Sequence, residues 1–333
     1  MARNRSNTAF RIDVALPASD RSDDEVRTAL ELGEDSRVFR SRLSGYAWEQ
    51  GVLPRIAPDH VLLSLCNIGP VARRRQLVMI HDAQVFDVPK SYSRAFRLGY
   101  QAILPLLARR VRWLATVSSY SRERLAANGI GAGRSIAVVP NGVDHLDAVC
   151  ATPDAVRQHG LHPGGYFLVV GSAAPHKNLA MLSRANAMRS NPGMPIAVVG
   201  EENPAIFGHS DGRARNDFVS LGRISDAELK GLYRQARALL FPSVTEGFGL
   251  PALEAMRCGV AVIASDGGAI PEACGDAALY CRPSDHVAWA AAMDRLATDT
   301  TLAAELVDKG QAQAAHFTWD SSARRLLDIL SAN

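Results

Sequence analysis

Long apolar runs are missing from this 333-residue chain. None approaches the ~18–20 consecutive apolar residues of a membrane span. The first twenty residues, MARNRSNTAFRIDVALPASD, carry basic side chains but no apolar core of a leader peptide. Cysteine is sparse. Cys66, Cys150, Cys258, Cys274 and Cys281 are odd in number, scattered and free of C-x-x-C spacing, which excludes a disulfide framework and fits a reducing cytoplasm. Nine histidines form no H-E-x-x-H or similar pattern, so neither a protein-held metal nor another cofactor is expected. No G-x-G-x-x-G follows a strand pattern and no Walker loop is present, which sets aside a dehydrogenase or a P-loop nucleotide hydrolase. Basic and aromatic residues interleave in one stretch, but without a nucleic-acid-binding signature, so no nucleic-acid partner is expected.

What is present is ordinary globular composition, 47% hydrophobic and 21% charged, at a length that fits two domains. The net charge of +3 conceals an asymmetry. Residues 1–150 hold 21 Lys and Arg against 15 Asp and Glu, whereas residues 151–333 hold 16 against 19. A basic first half points to an anionic partner, phosphate or membrane, although solvated surface charge gives the same count.

From residue 61 onward, short apolar runs alternate with helical patterns. VLLSL (61–65), QLVMI (76–80), RWLATV (112–117) and IAVVP (136–140) read as buried strands, and so do YFLVVG (166–171), IAVVG (196–200), ALLFP (238–242), VAVIAS (260–265) and ALYC (278–281). Strands of this kind alternating with amphipathic helices predict parallel sheets covered on both faces. There are two such sets, separated by a breaker-rich stretch near 145–162. The expected fold class is therefore α/β, with two doubly wound Rossmann-like domains facing a central cleft and ligands at the C-terminal strand ends. The expected boundaries are 1–150, 151–310, and a last helix in 311–333. RIDVALP (11–17) is a candidate strand, but no glycine-rich turn follows it, and no strand–loop–helix opening is evident before residue 45.

Two loops carry candidate chemistry. In GSAAPHKNLAML (171–182) a strand ends at Gly171, and a helix is expected near Asn178, with Lys177 as a point charge beside free helix-start N–H groups. Diphosphate binding is one reading; a βα turn with an exposed lysine is the other. TEGFGLPALEAM (245–256) repeats the geometry, with Pro251 suited to the first helical turn. Gly247 and Gly249 would let the backbone approach a ligand. Glu246 in the loop and Glu254 on the first helical turn are placed to accept hydroxyl hydrogen bonds from a sugar and a ribose. Glu254 alone reads equally as a carboxylate favoured by the helix dipole. The stretch 90–113 mixes Lys90, Arg94, Arg97, Arg109, Arg110 and Arg112 with Tyr92, Phe96, Tyr100 and Trp113. It suits a helix on an anionic bilayer or one packed on a sheet with an arginine-rich outer face.

Taken together, FPSVTEGFGLPALEAMRCGVAVIASDGGAIPEACGDAALY (241–280) closely resembles the signature region of retaining glycosyltransferases of family 4, which have the GT-B fold. Glu246 and Glu254 match that family's E-x7-E motif. The resemblance runs through VGSAAPHKNL (170–179), LGRISDAELKGLY (221–233), VSSYSRERL (117–125) and VVPNGVD (138–144). In IHDAQVFDVPKSYSRAFR (80–97) it is similar to the mannosyltransferase B-like branch. It covers roughly residues 45 to 333, and the helix in FTWDSSARRLLDIL (317–330) would cross back to the N-terminal domain, which looks shortened.

The resemblance implies roles for named residues. Glu246 would contact donor-sugar hydroxyls, while the amides around Phe248, Gly249 and Leu250 would reach sugar and diphosphate. Glu254 would hold the ribose. Lys177, beside Gly171, would neutralise the departing nucleoside diphosphate. His81 would face the cleft, with Asp82 fixing its ring. Ser172 and His176 stand where many relatives have arginines, so Arg223 either supplies that phosphate contact or lies beside the base with Ile224. The implied enzyme moves a hexose from a nucleotide sugar to a growing polysaccharide or lipid-linked glycan with anomeric retention. GDP-mannose is the first expected donor, and GDP-fucose, UDP-glucose and dTDP-rhamnose are the others. It would work in the cytoplasm, with 90–113 as a contact to the inner membrane face. A GT-B sugar-nucleotide epimerase and a non-catalytic nucleotide-sugar-binding subunit are the competing readings.

Overall fold

A computed structural model describes residues 10–201 and 217–332. Residues 1–9, on which the leader reading partly rests, lie outside the described residues. Among the described residues every strand pairing is parallel, in three sheets. β1 (Val14–Leu16) pairs with β2 (Val38–Arg40) across the helix Asp23–Ala29. A four-stranded sheet runs β3 (Leu62–Ser64), β4 (Gln76–Met79), β5 (Trp113–Thr116), β6 (Ala137–Val138). The third sheet uses β7 (Phe167–Val170), β8 (Ile196–Val199), β9 (Phe218–Gly222), β10 (Ala238–Phe241), β11 (Val262–Ser265) and β12 (Leu279–Cys281) in the order β12-β11-β10-β7-β8-β9. The residues of β4, β8, β10 and β11 are all buried, because helices cover both faces of the two larger sheets.

The order of the six-stranded sheet reverses between β7 and β10. Neighbouring crossovers leave those two strands in opposite directions, which opens a crevice at their C-terminal ends. Loops 171–178 and 242–249 therefore flank one crevice.

The strand–helix–strand unit over 14–40 corrects the expectation that no such opening precedes residue 45. Its loop holds no glycine. Instead Ser22 caps the helix in a capping box with Glu25, which starts the helix without a left-handed residue. β9 was also absent from the sequence reading. It is a sheet-edge strand with a register irregularity opposite Val198 and Val199, and this blurs its apolar alternation.

The helix Trp319–Ser331 returns to the segment after β6. Val143 N–H donates to Phe317 O at 3.0 Å, Trp319 N–H to Asp144 Oδ1 at 2.7 Å, and Leu326 packs in a core cluster with Val139 and Val143. Gly142 is required there, since a Cβ would lie 2.2 Å from Trp319 N.

Among the described residues no helix is long and apolar enough to cross a membrane. The 90–113 stretch divides into a 3-10 turn Pro89–Ser91, a helix Arg94–Arg110 capped by Ser93, and the start of β5 at Trp113. Tyr92, Phe96 and Tyr100 stack on one another, while Leu98 (61% exposed) and Leu106 (51%) face outward.

Candidate active site

The loop after β7 turns through the 3-10 segment Pro175–Lys177. Asn178 then takes a left-handed conformation at φ 58° and caps the helix Leu179–Ala187. The Asn178 amide holds that conformation by donating to Pro242 O at 3.1 Å and Pro283 O at 2.7 Å. Lys177 therefore projects from the end of the 3-10 turn, over Gly171. Ser172 is exposed, and among the described residues its hydroxyl accepts from Ala174 N–H, at 3.4 Å.

The loop after β10 carries Glu246 into the same crevice. Lys177 Nζ donates to Glu246 Oε1 at 2.7 Å, with both side chains largely shielded. The turn at Gly267–Gly268 wraps Glu246. Ala269 N–H donates to Glu246 O at 2.9 Å, and a Cβ on Gly268 would lie 2.4 Å from Glu246 N. The N–H groups of Gly247, Phe248, Gly249 and Leu250 have no hydrogen-bond partner among the described residues. Four free amides at the start of the helix Leu250–Arg257 form an anion-attracting face.

Gly247 and Gly249 are also packing positions. A Cβ on Gly247 would lie 2.5 Å from His81 O and 2.8 Å from Asp82 Cβ, so the loop sits directly on the end of β4. Gly249, at φ 118°, backs onto Ala273 and Ile270. Phe248 is buried, edge-on to Phe317 at 5.6 Å.

The four-stranded sheet closes the other side. Ser118 Oγ donates to Gly247 O at 2.7 Å, and Ser121 Oγ lies within hydrogen-bonding distance of both Gly247 O (2.9 Å) and His81 O (2.8 Å). Gln84 Nε2 donates to Thr245 O at 3.2 Å, and Gln84 Oε1 accepts from Tyr92 OH at 2.8 Å. Glu272 accepts from Ser119 and Tyr120 N–H at 2.8 and 3.0 Å, capping the helix Ser119–Ala127 from the other half. The Tyr92 ring stacks on His176 at 6.5 Å. These bridging residues escape the sequence reading, except that Ser118 three positions before Ser121 has the form of a helix cap.

His81 lies at the end of β4, but Asp82 does not hold its ring. His81 Nε2 is 2.7 Å from Leu65 O, and Asp82 Oδ1 accepts from Gln84 N–H at 2.8 Å. The short side chain of Asp82 caps the turn two residues ahead instead of reaching back to its neighbour. Packing strips water from the Asp82 carboxyl and raises its pKa. Gln84 N–H and His81 oppose that shift, Glu246 adds to it, and Lys177 opposes it. Burial lowers the His176 pKa.

Glu254 is buried on the second turn of its helix, not the first, because the helix begins at Leu250. Its Oε2 accepts from Tyr233 OH at 3.2 Å. Arg223 does not join the Lys177 group; it is exposed and pairs with Glu201. Ile224 packs at the edge of the central core cluster. Among the described residues no group of three or more His, Cys, Asp or Glu is placed to hold a metal ion.

Residues 154–313 match the family Glycosyl transferases group 1. The chain is 29% identical over 226 residues to O-antigen chain mannosyltransferase RfbU of Salmonella typhimurium, covering 67% of this chain and 61% of that protein. It is also 29% identical over 265 residues to O-antigen chain mannosyltransferase B of Escherichia coli, covering 76% of this chain and 69% of that protein. The chain thus spans less than two thirds of RfbU's length. Among solved structures it is similar to Anabaena HepE in complex with UDP-glucose, with a TM-score of 0.70 and 18% identity over 96% of this chain and 99% of that one. The shared fold is GT-B.

Proposed function

From the premise that this chain carries a glycosyl transferases group 1 domain, we propose that it is a glycosyltransferase. It takes a hexose from a nucleotide sugar and adds it to a growing polysaccharide or lipid-linked glycan. The observation that carries this is the Lys177–Glu246 pair at 2.7 Å, set at the topological switch point beside four amides with no partner among the described residues. A nucleotide sugar entering the crevice separates the pair. Lys177 turns to the diphosphate, and Glu246 is freed to accept sugar hydroxyls. Negative charge that develops on the departing diphosphate then meets a fixed cation and helix-start N–H groups, an electrostatic way to lower the barrier. The His81 carbonyl and the Asp82 side chain abut Gly247 from the other sheet, and His81 is the proposed acceptor-side residue.

GDP-mannose is the proposed donor, supported by similarity to the two mannosyltransferases. Transfer proceeds with retention, which the resemblance over 241–280 supports and the anomeric signal of the product reads out. The outward Leu98 and Leu106 on a helix that ends in Arg109 and Arg110 fit peripheral contact with an anionic bilayer, measurable by sedimentation with vesicles.

Calorimetric titration of the wild type and Glu246→Ala with GDP-mannose, GDP-fucose, UDP-glucose and dTDP-rhamnose tests the reading. The expected result is binding of one donor, with the substitution weakening the intact donor more than its free nucleoside diphosphate. If no donor and no nucleoside diphosphate binds, the proposal is wrong.

A further inference from the structure

The connection between the two larger sheets includes a 3-10 turn, Asp144–Ala148, that lies against the Leu250–Arg257 helix. Two side-chain pairs fasten them. Arg257 holds Asp147, and His145 Nε2 lies 3.5 Å from Glu254 Oε1. On the other side of the imidazole, Trp319 Nε1 lies 3.4 Å from His145 Nδ1. An indole N–H only donates, so Nδ1 must accept, and the neutral ring carries its one proton on Nε2, toward Glu254. Tyr233 OH donates to the second carboxylate oxygen at 3.2 Å. Each oxygen of Glu254 thus receives one donor, which fixes the plane of the carboxylate and leaves each oxygen a further lone pair.

We infer that His145 is the positioning residue for Glu254: neutral, it presents the carboxylate to the ribose hydroxyls of a bound nucleotide, and protonated, it draws the carboxylate away. This rests on the reading of Glu254 as the ribose partner. Protonation places a second N–H on Nδ1, directly against the Trp319 N–H, so the ring loses that partner. The imidazolium then pairs with Glu254 as an ion and neutralises the charge that the ribose hydroxyls would meet. Four carboxylates lie around His145: Glu254 on its helix, Asp226 at the start of the helix Asp226–Gln235, and Asp144 and Asp147 on its own turn, where Arg257 holds Asp147. The Trp319 helix presents no titratable group to the ring. The hydrogen bond with Glu254 raises the His145 pKa above the ordinary imidazole value, and burial opposes it.

The test is calorimetric titration of the full chain with GDP and UDP, and with their 2′,3′-dideoxy counterparts, from about pH 5.5 to 8.5. Affinity for the ribonucleotide is expected to fall about tenfold from the alkaline to the acid end, the scale of one hydrogen bond to a charged group. The dideoxy compounds bind more weakly and lack that fall. His145→Gln supplies an N–H to Glu254 and an oxygen to Trp319 without titrating. It is expected to abolish the fall and to stay within about threefold of the wild-type affinity at high pH. Trp319→Phe removes the donor that disfavours protonation and moves the midpoint to higher pH. The ionisation of the ligand's own phosphate is common to every variant and cancels in the ratio to wild type. An identical pH profile for wild type and His145→Gln overturns the inference, as does an equal fall with the dideoxy compounds. Failure of both GDP and UDP to bind at any pH removes the glycosyltransferase reading itself.

Discussion

The two larger sheets meet the space between them with different equipment. The six-stranded sheet brings backbone: free amides at 247–250, a tight turn at 175–177 and one ion pair, each on a loop pinned between a strand and a helix. The four-stranded sheet brings side chains. Ser118, Ser121, Gln84 and Tyr92 are engaged with the opposite half or with each other, while His81 and Asp82 line the junction. A backbone-built anion site needs little beyond glycine, proline and strand order, so it tolerates drift in other side chains. A wall built of side chains depends on each of those residues being present.

The sharpest way to break this comparison is Lys177→Ala. Loss of the one cation in the pair is expected to lower affinity for free GDP about 10- to 100-fold by calorimetry. Unaltered affinity would mean that the amides hold the anion alone. Next is Gly247→Ala, whose Cβ must displace the end of β4, 2.5 Å away. It should destabilise the chain by about 1–3 kcal/mol in urea unfolding and enlarge the radius of gyration in solution scattering as the halves separate. Unchanged scattering would show that the loop yields instead.

Asp82→Asn tests the other wall. Burial raises the Asp82 pKa above its unfolded value, so holding the charged form costs stability at neutral pH. Asn keeps the acceptor for Gln84 N–H without the charge. A higher melting temperature at pH 7 is expected, with the gain vanishing as pH falls toward about 4, where the aspartate also becomes neutral. The smallest effect belongs to Arg223→Ala. An exposed pair with Glu201 contributes little, so melting should move by no more than about a degree. A loss of GDP affinity in this variant would return Arg223 to the donor site.

The sequence carries the six-stranded half more plainly than the other. Lys177 and Glu246 come together because each follows a buried apolar strand and precedes a helix, features that periodicity and a proline reveal. The role of Gly247 was not readable, because its neighbour His81 is far away in the chain. Asp82 looked like a partner for the adjacent histidine, and only the turn geometry shows it capping Gln84. The β1–β2 unit was hidden because a capping box does the work that a glycine was expected to do.

The return of the chain through Val143–Phe317 and Asp144–Trp319 has a mechanical consequence. Two covalent strands cross between the halves side by side, hydrogen-bonded to each other, with no room at Gly142 for them to slip. A single tether would allow bending in any direction and twisting about its own length. A paired tether resists twist and sideways tilt and leaves rotation about one line as the soft motion. A rotation about that line would keep the same two edges facing each other, with Glu272 opposite the start of the Ser119–Ala127 helix.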